Sequence, residues 1–228
     1  MGILKLQEVS KFFGKDSTKV KALNEINLNI DEGEFTAIVG ESGSGKSTLI
    51  SLMGGLDKPT EGEIVYNGIS FFSLNALELS KIRKKEISVV YQFYNLIPSL
   101  TVKENIILPV LLGKKELDER KLDELLNKLN LKVKASHYAD DLSGGQKQKV
   151  AIARALINQP TLILADEPTG NLDTESTKEV INLLKKENEE NGTTVIIVTH
   201  NLEIAKICNR VITLKDGSII NDTKNEVL

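Results

Sequence analysis

A run of glycine, serine and lysine has the spacing of a phosphate-binding loop. Residues 40–48 are GESGSGKST, and they fit the pattern G-x-x-x-x-G-K-[ST] between a predicted strand and a predicted helix. Glycines let the backbone wrap closely around an anion. Lys46 is expected to reach the β- and γ-phosphates, and the Ser47 hydroxyl to bind Mg²⁺. The candidate phosphate-binding residues are Gly40, Ser42, Gly43, Ser44, Gly45, Lys46, Ser47 and Thr48.

A second segment, DDLSGGQKQKVAIARAL at 140–156, also suits an anion because a serine-glycine turn precedes a helix. An ordinary helix cap is the alternative, but two adjacent glycines weaken a helix by ~1 kcal/mol each, and a cap does not need both. The loop at 40–48 begins one half of the core, whereas this segment follows a helical insertion. We therefore expect it to bind phosphate on another molecule, within a two-fold dimer. The candidate residues are Ser143, Gly144, Gly145 and Gln146.

Polar residues follow three apolar strand-like runs. Asp166 and Glu167 end TLILADE; Asp166 suits the Mg²⁺ shell, and Glu167 is placed to polarise a water. His200 ends VIIVTH and could contact a γ-phosphate or orient Glu167. Gln92 ends ISVVYQ, and its amide could touch Mg²⁺ or the attacking water. The alternatives are a solvated strand end for the carboxylates and Gln92, and a buried structural imidazole for His200.

Composition narrows the class of protein. The chain has 228 residues, 40% of them hydrophobic and 27% charged, and a formal net charge of −3, which argues against a general nucleic-acid binder. Its one cysteine, Cys208, excludes an intrachain disulfide and is expected to be buried. No segment approaches the ~18 apolar residues of a membrane span, and the start lacks a signal-peptide pattern. We expect a soluble, cytoplasmic protein whose membrane role, if any, comes through a partner.

Alternating strands and helices predict an α/β fold with a mainly parallel sheet, because continuous Val, Ile and Leu runs suit strands buried on both faces. The middle, about 93–140, has no convincing strand and is interpreted as a helical insertion. Residues 215–217, KDG, predict a hairpin turn. Strands are expected at 3–9, 34–40, 63–68, 87–92, 161–166, 194–200 and 210–220. Helices are expected after Lys46 and at 75–85, 102–112, 115–130, 145–157, 173–190 and 201–208.

Together, LSGGQ (142–146), the loop at 40–48 and LILADE (162–167) resemble the signature of ATP-binding-cassette ATPases over nearly the whole chain. The resemblance implies a P-loop NTPase core with an N-terminal antiparallel β subdomain and a helical subdomain. It also implies ATP and Mg²⁺ as cofactors, Gln92 as the Q-loop glutamine, Asp173 as the D-loop aspartate and His200 as the switch histidine. Phe13 stands where the family places an adenine-stacking aromatic, although Phe12 is the alternative.

The resemblance is strongest to the lipoprotein-release, macrolide-export and peptide-antibiotic-resistance group, through GLDKPTEGEI, YNLIPSLTVKENIILPV and DEPTGNLD. It implies an ATP-dependent, head-to-tail homodimer that drives a separate membrane permease from the inner face of the cell membrane and binds no nucleic acid. The alternatives are a soluble cassette ATPase of translation or DNA repair and a non-hydrolysing nucleotide-binding module. The whole chain, 1–228, would be one nucleotide-binding domain, with a core at 1–92 and 158–228 and a helical subdomain at about 93–157.

The chain departs from the family pattern at two positions, and it contains one long segment rich in apolar residues. Phe13 replaces a frequent tyrosine, and Lys149 replaces a frequent arginine that can form bidentate contacts. The segment FYNLIPSLTVKENIILPV, 93–110, either packs inside the helical subdomain or forms a groove for a short permease helix. Pro98 and Pro109 are expected to shape its turns.

Overall fold

The continuous Val, Ile and Leu runs form one six-stranded sheet in the computed structural model, which describes residues 2–14 and 18–225. The strands of this sheet are β3 (Phe35–Val39), β6 (Ile87–Tyr91), β7 (Leu162–Asp166), β8 (Thr194–Thr199), β9 (Arg210–Lys215) and β10 (Ser218–Lys224). Their order is β10-β9-β3-β8-β7-β6, and every neighbouring pair is parallel except β10 with β9. The predicted mainly parallel sheet is confirmed.

A second, antiparallel sheet confirms the expected N-terminal β subdomain. It contains β1 (Gly2–Phe13), β2 (Val20–Asp31), β4 (Glu61–Tyr66) and β5 (Ile69–Ser70), in the order β2-β1-β4-β5. The strand predictions missed β2. Its signal was present, because Ile26, Leu28 and Ile30 are buried and alternate with exposed polar residues, which is the period of a strand with one solvated face.

All of the predicted helices are present. They are α1 (Lys46–Met53), α2 (Ala76–Lys85), α3 (Val102–Leu112), α4 (Glu119–Lys128), α5 (Gly144–Leu156), α6 (Thr174–Asn191) and α7 (Leu202–Ile207). The expectation that Pro109 shapes a turn was wrong, since Pro109 lies inside α3. The neighbouring Ile106, Ile107 and Val110 are buried in the core, and their packing outweighs the helix-breaking tendency of proline.

Helices and the antiparallel sheet cover the two faces of the parallel sheet. One core cluster joins β3, β7 and β8 to residues of the five helices α3 to α7. The other joins the opposite face to α1 and to the antiparallel sheet. Helix α5 belongs to both the insertion and the core, because the Ser88 hydroxyl on β6 donates to the Ala155 carbonyl at 2.8 Å. The boundaries of the helical subdomain stay a prediction.

The parallel order brings four chemically important positions to one edge of the sheet. Strands β3, β6, β7 and β8 run in the same direction, so their carboxyl ends meet there. The residues at these ends are Gly40, Gln92, Asp166 and His200. In open α/β sheets this edge is where ligands bind.

The C-terminal region contains a hairpin and a buried cysteine. Strands β9 and β10 form the predicted hairpin, with Asp216 and Gly217 both at positive φ in its turn. Cys208 is 2% exposed, and burial raises the pKa of its thiol to about 12, so it is a packing residue. Within the described residues, no helix combines the length and the apolar character that crossing a bilayer requires.

Candidate active site

The phosphate-binding loop leads into a helix whose first amide groups have no side-chain cap. Helix α1 begins at Lys46 after Gly45, and it has neither a capping side chain nor an acidic residue in its first turn. Each of the other six α-helices of the described chain has a side-chain acceptor at its N-cap. Free amide groups and the positive end of the helix dipole both suit a phosphate.

Gly45 is required at the turn between the loop and α1. Its φ of +103° lies in the left-handed region that favours glycine. A Cβ atom there would lie 2.5 Å from the Ala22 carbonyl oxygen and 2.9 Å from Leu23. Strand β2, which was not among the predicted strands, therefore packs against the outer side of the phosphate-binding loop.

The Lys46 side chain spans the loop instead of extending into solvent. Lys46 is only 8% exposed, and its ammonium donates to the carbonyls of Gly40 at 2.8 Å and Glu41 at 2.7 Å. An ammonium group has three protons, so one remains for a ligand. These bonds hold the positive charge of Lys46 at the centre of the loop, as the sequence predicts for a triphosphate site.

Ser47 and Asp166 form the expected pair for a divalent cation. The Ser47 hydroxyl donates to Asp166 Oδ1 at 3.3 Å. Burial raises the pKa of Asp166 above its ordinary value, and the neighbouring Glu167 charge raises it further, whereas the Ser47 hydrogen bond and Lys46 oppose this. A cation bound here would lower the pKa of Asp166, as the Ser47 hydrogen bond and the Lys46 charge do, and would therefore favour the ionised carboxylate.

Glu167 and His200 are in direct contact. His200 Nδ1 lies 3.0 Å from a carboxylate oxygen of Glu167. Glu167 itself has a φ of +48°. This left-handed conformation costs energy in a non-glycine residue, and residues that adopt it are concentrated at functional sites. The hydrogen bond from its amide to the Val198 carbonyl, 2.9 Å, helps to hold this conformation. Strand β8 therefore positions both members of the pair.

A cleft of about 680 Å³ joins these groups. It is large enough for a nucleotide-sized ligand. Gln92 and His200 line this cleft. Gly40 and Asp166 lie beside it, because they are hydrogen-bonded to the lining residues Lys46 and Ser47. The lining residues are Val20, Lys21, Ala22, Ser42, Gly43, Gly45, Lys46, Ser47, Thr48, Gln92, Glu167 and His200.

The donor set at the cleft suits Mg²⁺ better than a transition metal. The described residues contain no cluster of three or more His, Cys, Asp or Glu side chains that could hold a metal by themselves. Mg²⁺ typically uses one or two carboxylates together with substrate phosphates and water. One carboxylate from Asp166, the Ser47 hydroxyl and the Gln92 amide fit that pattern.

The second serine-glycine segment lies outside this cleft. Ser143 is exposed and is the N-cap of α5, where its hydroxyl oxygen accepts from the Gln146 amide at 3.3 Å and the Gln146 side chain accepts from the Ser143 amide at 3.1 Å. Ser143 therefore caps α5, and phosphate binding by this segment stays a prediction. The Ser143 hydroxyl proton is still available, since a hydroxyl can donate while it accepts.

The structure gives both signature glycines a packing role. A Cβ atom on Gly144 would lie 3.0 Å from the Tyr94 hydroxyl, and one on Gly145 would lie 2.6 Å from the Ser176 hydroxyl. The close approach of the Tyr94 side chain and of Ser176 on α6 therefore favours small residues at both positions. Packing thus accounts for the presence of both glycines without an anion, so the pair of glycines alone does not distinguish phosphate binding from an ordinary cap.

The aromatic pair at the end of β1 is divided between two environments. Phe13 is 45% exposed and borders a small cleft of about 260 Å³ together with Ser47 and Thr48. The Lys19 ammonium lies 4.1 Å from the centre of the Phe12 ring. Phe13 is thus the ring beside the phosphate-binding loop, and its stacking on adenine stays a prediction.

Two further sequence candidates have structural partners within the chain. Asp173 caps α6, where Ser176 donates its amide and its hydroxyl to the carboxylate at 2.9 Å each, and these hydrogen bonds lower the pKa of Asp173. Lys149 forms an ion pair with Glu179 of α6 at 2.8 Å. Neither residue lines the large cleft, so the cofactor-binding role of Asp173 stays a prediction.

The sequence did not predict two groups of residues, one that lines the cleft and one that holds the loop after Gln92. Val20, Lys21 and Ala22 line the cleft because they begin β2, and the alternation along that strand was the available signal. Arg154 donates to the Tyr94 and Asn95 carbonyls. No sequence pattern pointed to these backbone acceptors, which come from a loop about sixty positions away.

The chain is similar in sequence to known ATP-binding proteins. The family model described as ABC transporter matches residues 23–170. The ABC transporter ATP-binding protein MJ0796 of Methanocaldococcus jannaschii is 46% identical over 228 residues, covering 97% of this chain and 97% of MJ0796. The ABC transporter ATP-binding protein YvcR of Bacillus subtilis is 43% identical over 226 residues, covering 97% of this chain and 87% of YvcR.

Solved structures show the same fold. A dimeric post-hydrolysis state of the ATP-binding cassette MJ0796, bound to ADP and Pi, superposes with a TM-score of 0.91 at 44% identity and covers 99% of this chain and 100% of that chain. CbiO1 from Clostridium perfringens, part of the ABC transporter complex CbiONQ, superposes with a TM-score of 0.86 at 32% identity. That match covers 98% of this chain and 88% of CbiO1.

Proposed function

This chain belongs to the ABC transporter family of ATP-binding proteins, and we propose that two copies of it hydrolyse ATP at shared sites to drive a separate membrane permease. One observation carries the shared-site proposal. Lys46, Glu167 and His200 line one cleft, whereas Ser143 is exposed and lies outside it. A second chain, related by a two-fold axis, can bring its Ser143 to that cleft.

The triphosphate is held by the loop and the start of α1. The uncapped amides of α1 and the Lys46 ammonium face the β- and γ-phosphates, which they stabilise electrostatically. Ser47, Asp166 and Gln92 would hold Mg²⁺ together with phosphate oxygens. When bound, Mg²⁺ neutralises negative charge on those oxygens. Phe13 supplies a face on which the adenine ring stacks.

Glu167 acts as the base toward water. Its carboxylate accepts a proton from the attacking water, whose oxygen bonds to the γ-phosphorus while the bond to the β–γ bridging oxygen breaks, which releases ADP and phosphate. The contact with His200 holds the Glu167 carboxylate in one orientation. The Glu167 side chain lines the cleft, and its backbone is left-handed.

The partner's signature segment completes the site. The Ser143 hydroxyl and the first amides of α5, those of Gly144 and Gly145, would contact the γ-phosphate from the opposite side, aided by the helix dipole. Gln146 would hold Ser143 in place through the cap. The D-loop residue Asp173 would lie beside the same interface. Loss of the γ-phosphate removes the bridge between the chains, so the dimer opens, and this two-state change drives the permease.

Phosphate release by the purified chain tests this proposal. Because each site needs residues from two chains, the rate per chain is expected to rise with chain concentration and to level off once dimers dominate. The measurement is steady-state phosphate release at saturating MgATP over a wide range of chain concentrations. An equal rate per chain at all concentrations, with the dilute chain shown to be monomeric, would disprove the shared site.

A groove on the helical side supports the permease as partner. This groove has a volume of about 480 Å³ and is bordered by the exposed end of α3, including Leu108, Pro109 and Leu112. Leu112 is 60% exposed, and Phe93, two residues before the lining residue Asn95, is 73% exposed. The groove combines apolar side chains with the cations Arg83, Lys84 and Arg154, and a mixed groove of this kind suits a short amphipathic helix. Docking there would place the chain on the inner face of the membrane, without a membrane-spanning helix of its own.

A charge in the groove is expected to detach the chain from membranes. Leu112→Arg would place a guanidinium against the apolar face of the permease helix, so the share of the chain that sediments with membranes of its native host should fall at least about tenfold. Val133→Arg is the matched control, because Val133 is 82% exposed and lies outside the groove. Unchanged sedimentation of Leu112→Arg, or sedimentation of the wild type with ribosomes, would contradict permease docking.

A further inference from the structure

The loop after Gln92 is held by Arg154 of the signature helix α5. The Arg154 guanidinium donates to the Tyr94 carbonyl at 2.8 Å and to the Asn95 carbonyl at 2.7 Å. Both acceptor residues have left-handed backbones, with φ of +61° and +48°. Non-glycine residues keep such conformations only where their surroundings hold them. The two hydrogen bonds from one fixed guanidinium supply that restraint.

The same loop touches the beginning of α5. The Tyr94 hydroxyl lies where a Cβ atom on Gly144 would come within 3.0 Å, so the ring reaches the signature segment. Tyr94 therefore contacts α5 twice, through its side chain at Gly144 and through its carbonyl at Arg154. The loop and the helix that carries Ser143 can only move together unless these contacts break.

Gln92 is linked on its other side to the segment that follows Glu167. The Gln92 amide nitrogen lies 3.5 Å from Asn171 Oδ1, and Asn171 Nδ2 donates to the Gln92 carbonyl at 3.4 Å. A Cβ atom on Gly170 would lie 2.7 Å from the Gln92 amide nitrogen. The position of the Gln92 side chain is thus set by close packing, and a shift of the loop backbone would displace it.

Arg154 also reaches the groove on the helical side. Asn95 and Arg154 both line it, next to Leu112. The Arg154 side chain therefore lies between the docking groove and the loop that carries Gln92. An occupant of the groove can displace Asn95 or Arg154 without touching the nucleotide.

We propose that Arg154 is a positioning residue that acts through Gln92: by bonding the Tyr94 and Asn95 carbonyls, it sets the Gln92 side chain in the nucleotide cleft and ties it to the groove and to the start of α5. The inference rests on the proposed role of Gln92 in that cleft. It assigns Arg154 no contact with the nucleotide.

The chemistry of arginine fits this role and that of lysine does not. A guanidinium presents its donors in a rigid plane, so it can bond two carbonyls at once in a fixed geometry. A lysine ammonium keeps the charge on a flexible stem, and we expect it to hold one carbonyl loosely. Arg154→Lys therefore removes the positioning while retaining the charge and much of the packing.

A double-mutant cycle between Arg154→Lys and Gln92→Ala tests the proposal. Arg154→Lys alone is expected to lower kcat for ATP hydrolysis about tenfold, the equivalent of one charge-assisted hydrogen bond, while the Kd for ATP changes less than about twofold because the loop at 40–48 is intact. Since Arg154 acts through Gln92, the double variant should hydrolyse ATP no more slowly than Gln92→Ala. The measurements are steady-state phosphate release and ATP binding.

Arg210→Lys is the control for a purely structural effect. The Arg210 guanidinium also donates to a backbone carbonyl, that of Asn29 at 2.7 Å, but it lies on β9 away from the Gln92 loop. We expect this variant to lower the Tm and to leave the kcat of the folded protein and the Gln92→Ala effect unchanged. Circular dichroism of all variants verifies folding.

The outcomes separate this inference from the proposed function. If the effects of Arg154→Lys and Gln92→Ala multiply, or if Arg154→Lys keeps the wild-type kcat, Arg154 does not act through Gln92 and the inference is wrong. If Gln92→Ala itself leaves kcat unchanged, the proposed role of Gln92 is wrong and the inference is overturned with it. If Arg154→Lys does not fold, Arg154→Gln, which retains a planar donor, replaces it in the same cycle.

Discussion

Glu167→Gln is expected to reduce ATP hydrolysis by about 10³-fold or more, since a general base contributes 10²–10⁴-fold. The amide has the shape of the carboxylate and can keep the contact with His200, which is 3.0 Å long in the wild type. Lys46 and the amides of α1 are untouched, so the Kd for ATP should change less than about twofold. Because the γ-phosphate persists, the ATP-bound dimer should accumulate. Phosphate release and size-exclusion chromatography with MgATP measure the two effects.

Glu203→Gln is a matched control for this variant. Glu203 also carries a carboxylate and lies three residues after His200, but it is 78% exposed at its side chain and pairs with Lys206. Its replacement should leave both hydrolysis and dimerisation at the wild-type level. Undiminished turnover of Glu167→Gln would mean that another group accepts the proton, and the assigned role would have to be withdrawn.

Mixing two inactive variants is expected to restore activity. Lys46→Met removes the ammonium from the loop, and Ser143→Arg fills the signature surface with a bulky charge, so each homodimer should lose at least about 10²-fold in rate. In a heterodimer both defects fall in one site, and the other site combines an intact Lys46 with an intact Ser143. An equimolar mixture should therefore recover up to about a quarter of the wild-type rate, since about half of the dimers carry one intact site.

The control mixture combines Lys46→Met with Glu167→Gln. Lys46 and Glu167 line the same cleft of one chain, so every site of their heterodimer carries one defect and no activity should return. Recovery in this control, or its absence in the Lys46 and Ser143 mixture when heterodimers are demonstrably present, would contradict the head-to-tail arrangement. Phosphate release measured after co-incubation and co-purification of differently tagged chains provides the readout.

Much of the fold could be predicted because local patterns were strong. The continuous apolar runs of β3, β7 and β8 indicated a covered parallel sheet, and the KDG turn indicated the β9–β10 hairpin. Strand β2 was not predicted although Ile26, Leu28 and Ile30 alternate with polar residues, because its apolar positions are separated by polar ones and form no continuous run like those of the parallel sheet. The prediction of a turn at Pro109 was wrong, because the burial of its neighbours in α3 depends on packing partners far along the chain.

The sequence by itself determined which chemistry the protein can perform. The loop ending in Lys46, the carboxylates at 166–167, His200 and the LSGGQ segment are short motifs whose residue types and spacing already specify phosphate binding and water activation. Such motifs are local, so adjacent positions suffice to recognise them. The presence of two helix starts whose residues suit an anion also led to the prediction of a second chain.

Only the tertiary structure decided how these groups are positioned. The left-handed backbone of Glu167, its contact with His200, the exposure of Ser143 and the support of Gly45 by β2 all join residues that are distant in sequence or conformations that residue type disfavours. The same holds for Arg154, whose acceptors are backbone carbonyls. Every residue carries a carbonyl, so no sequence pattern distinguishes the ones that folding brings within reach of a given guanidinium.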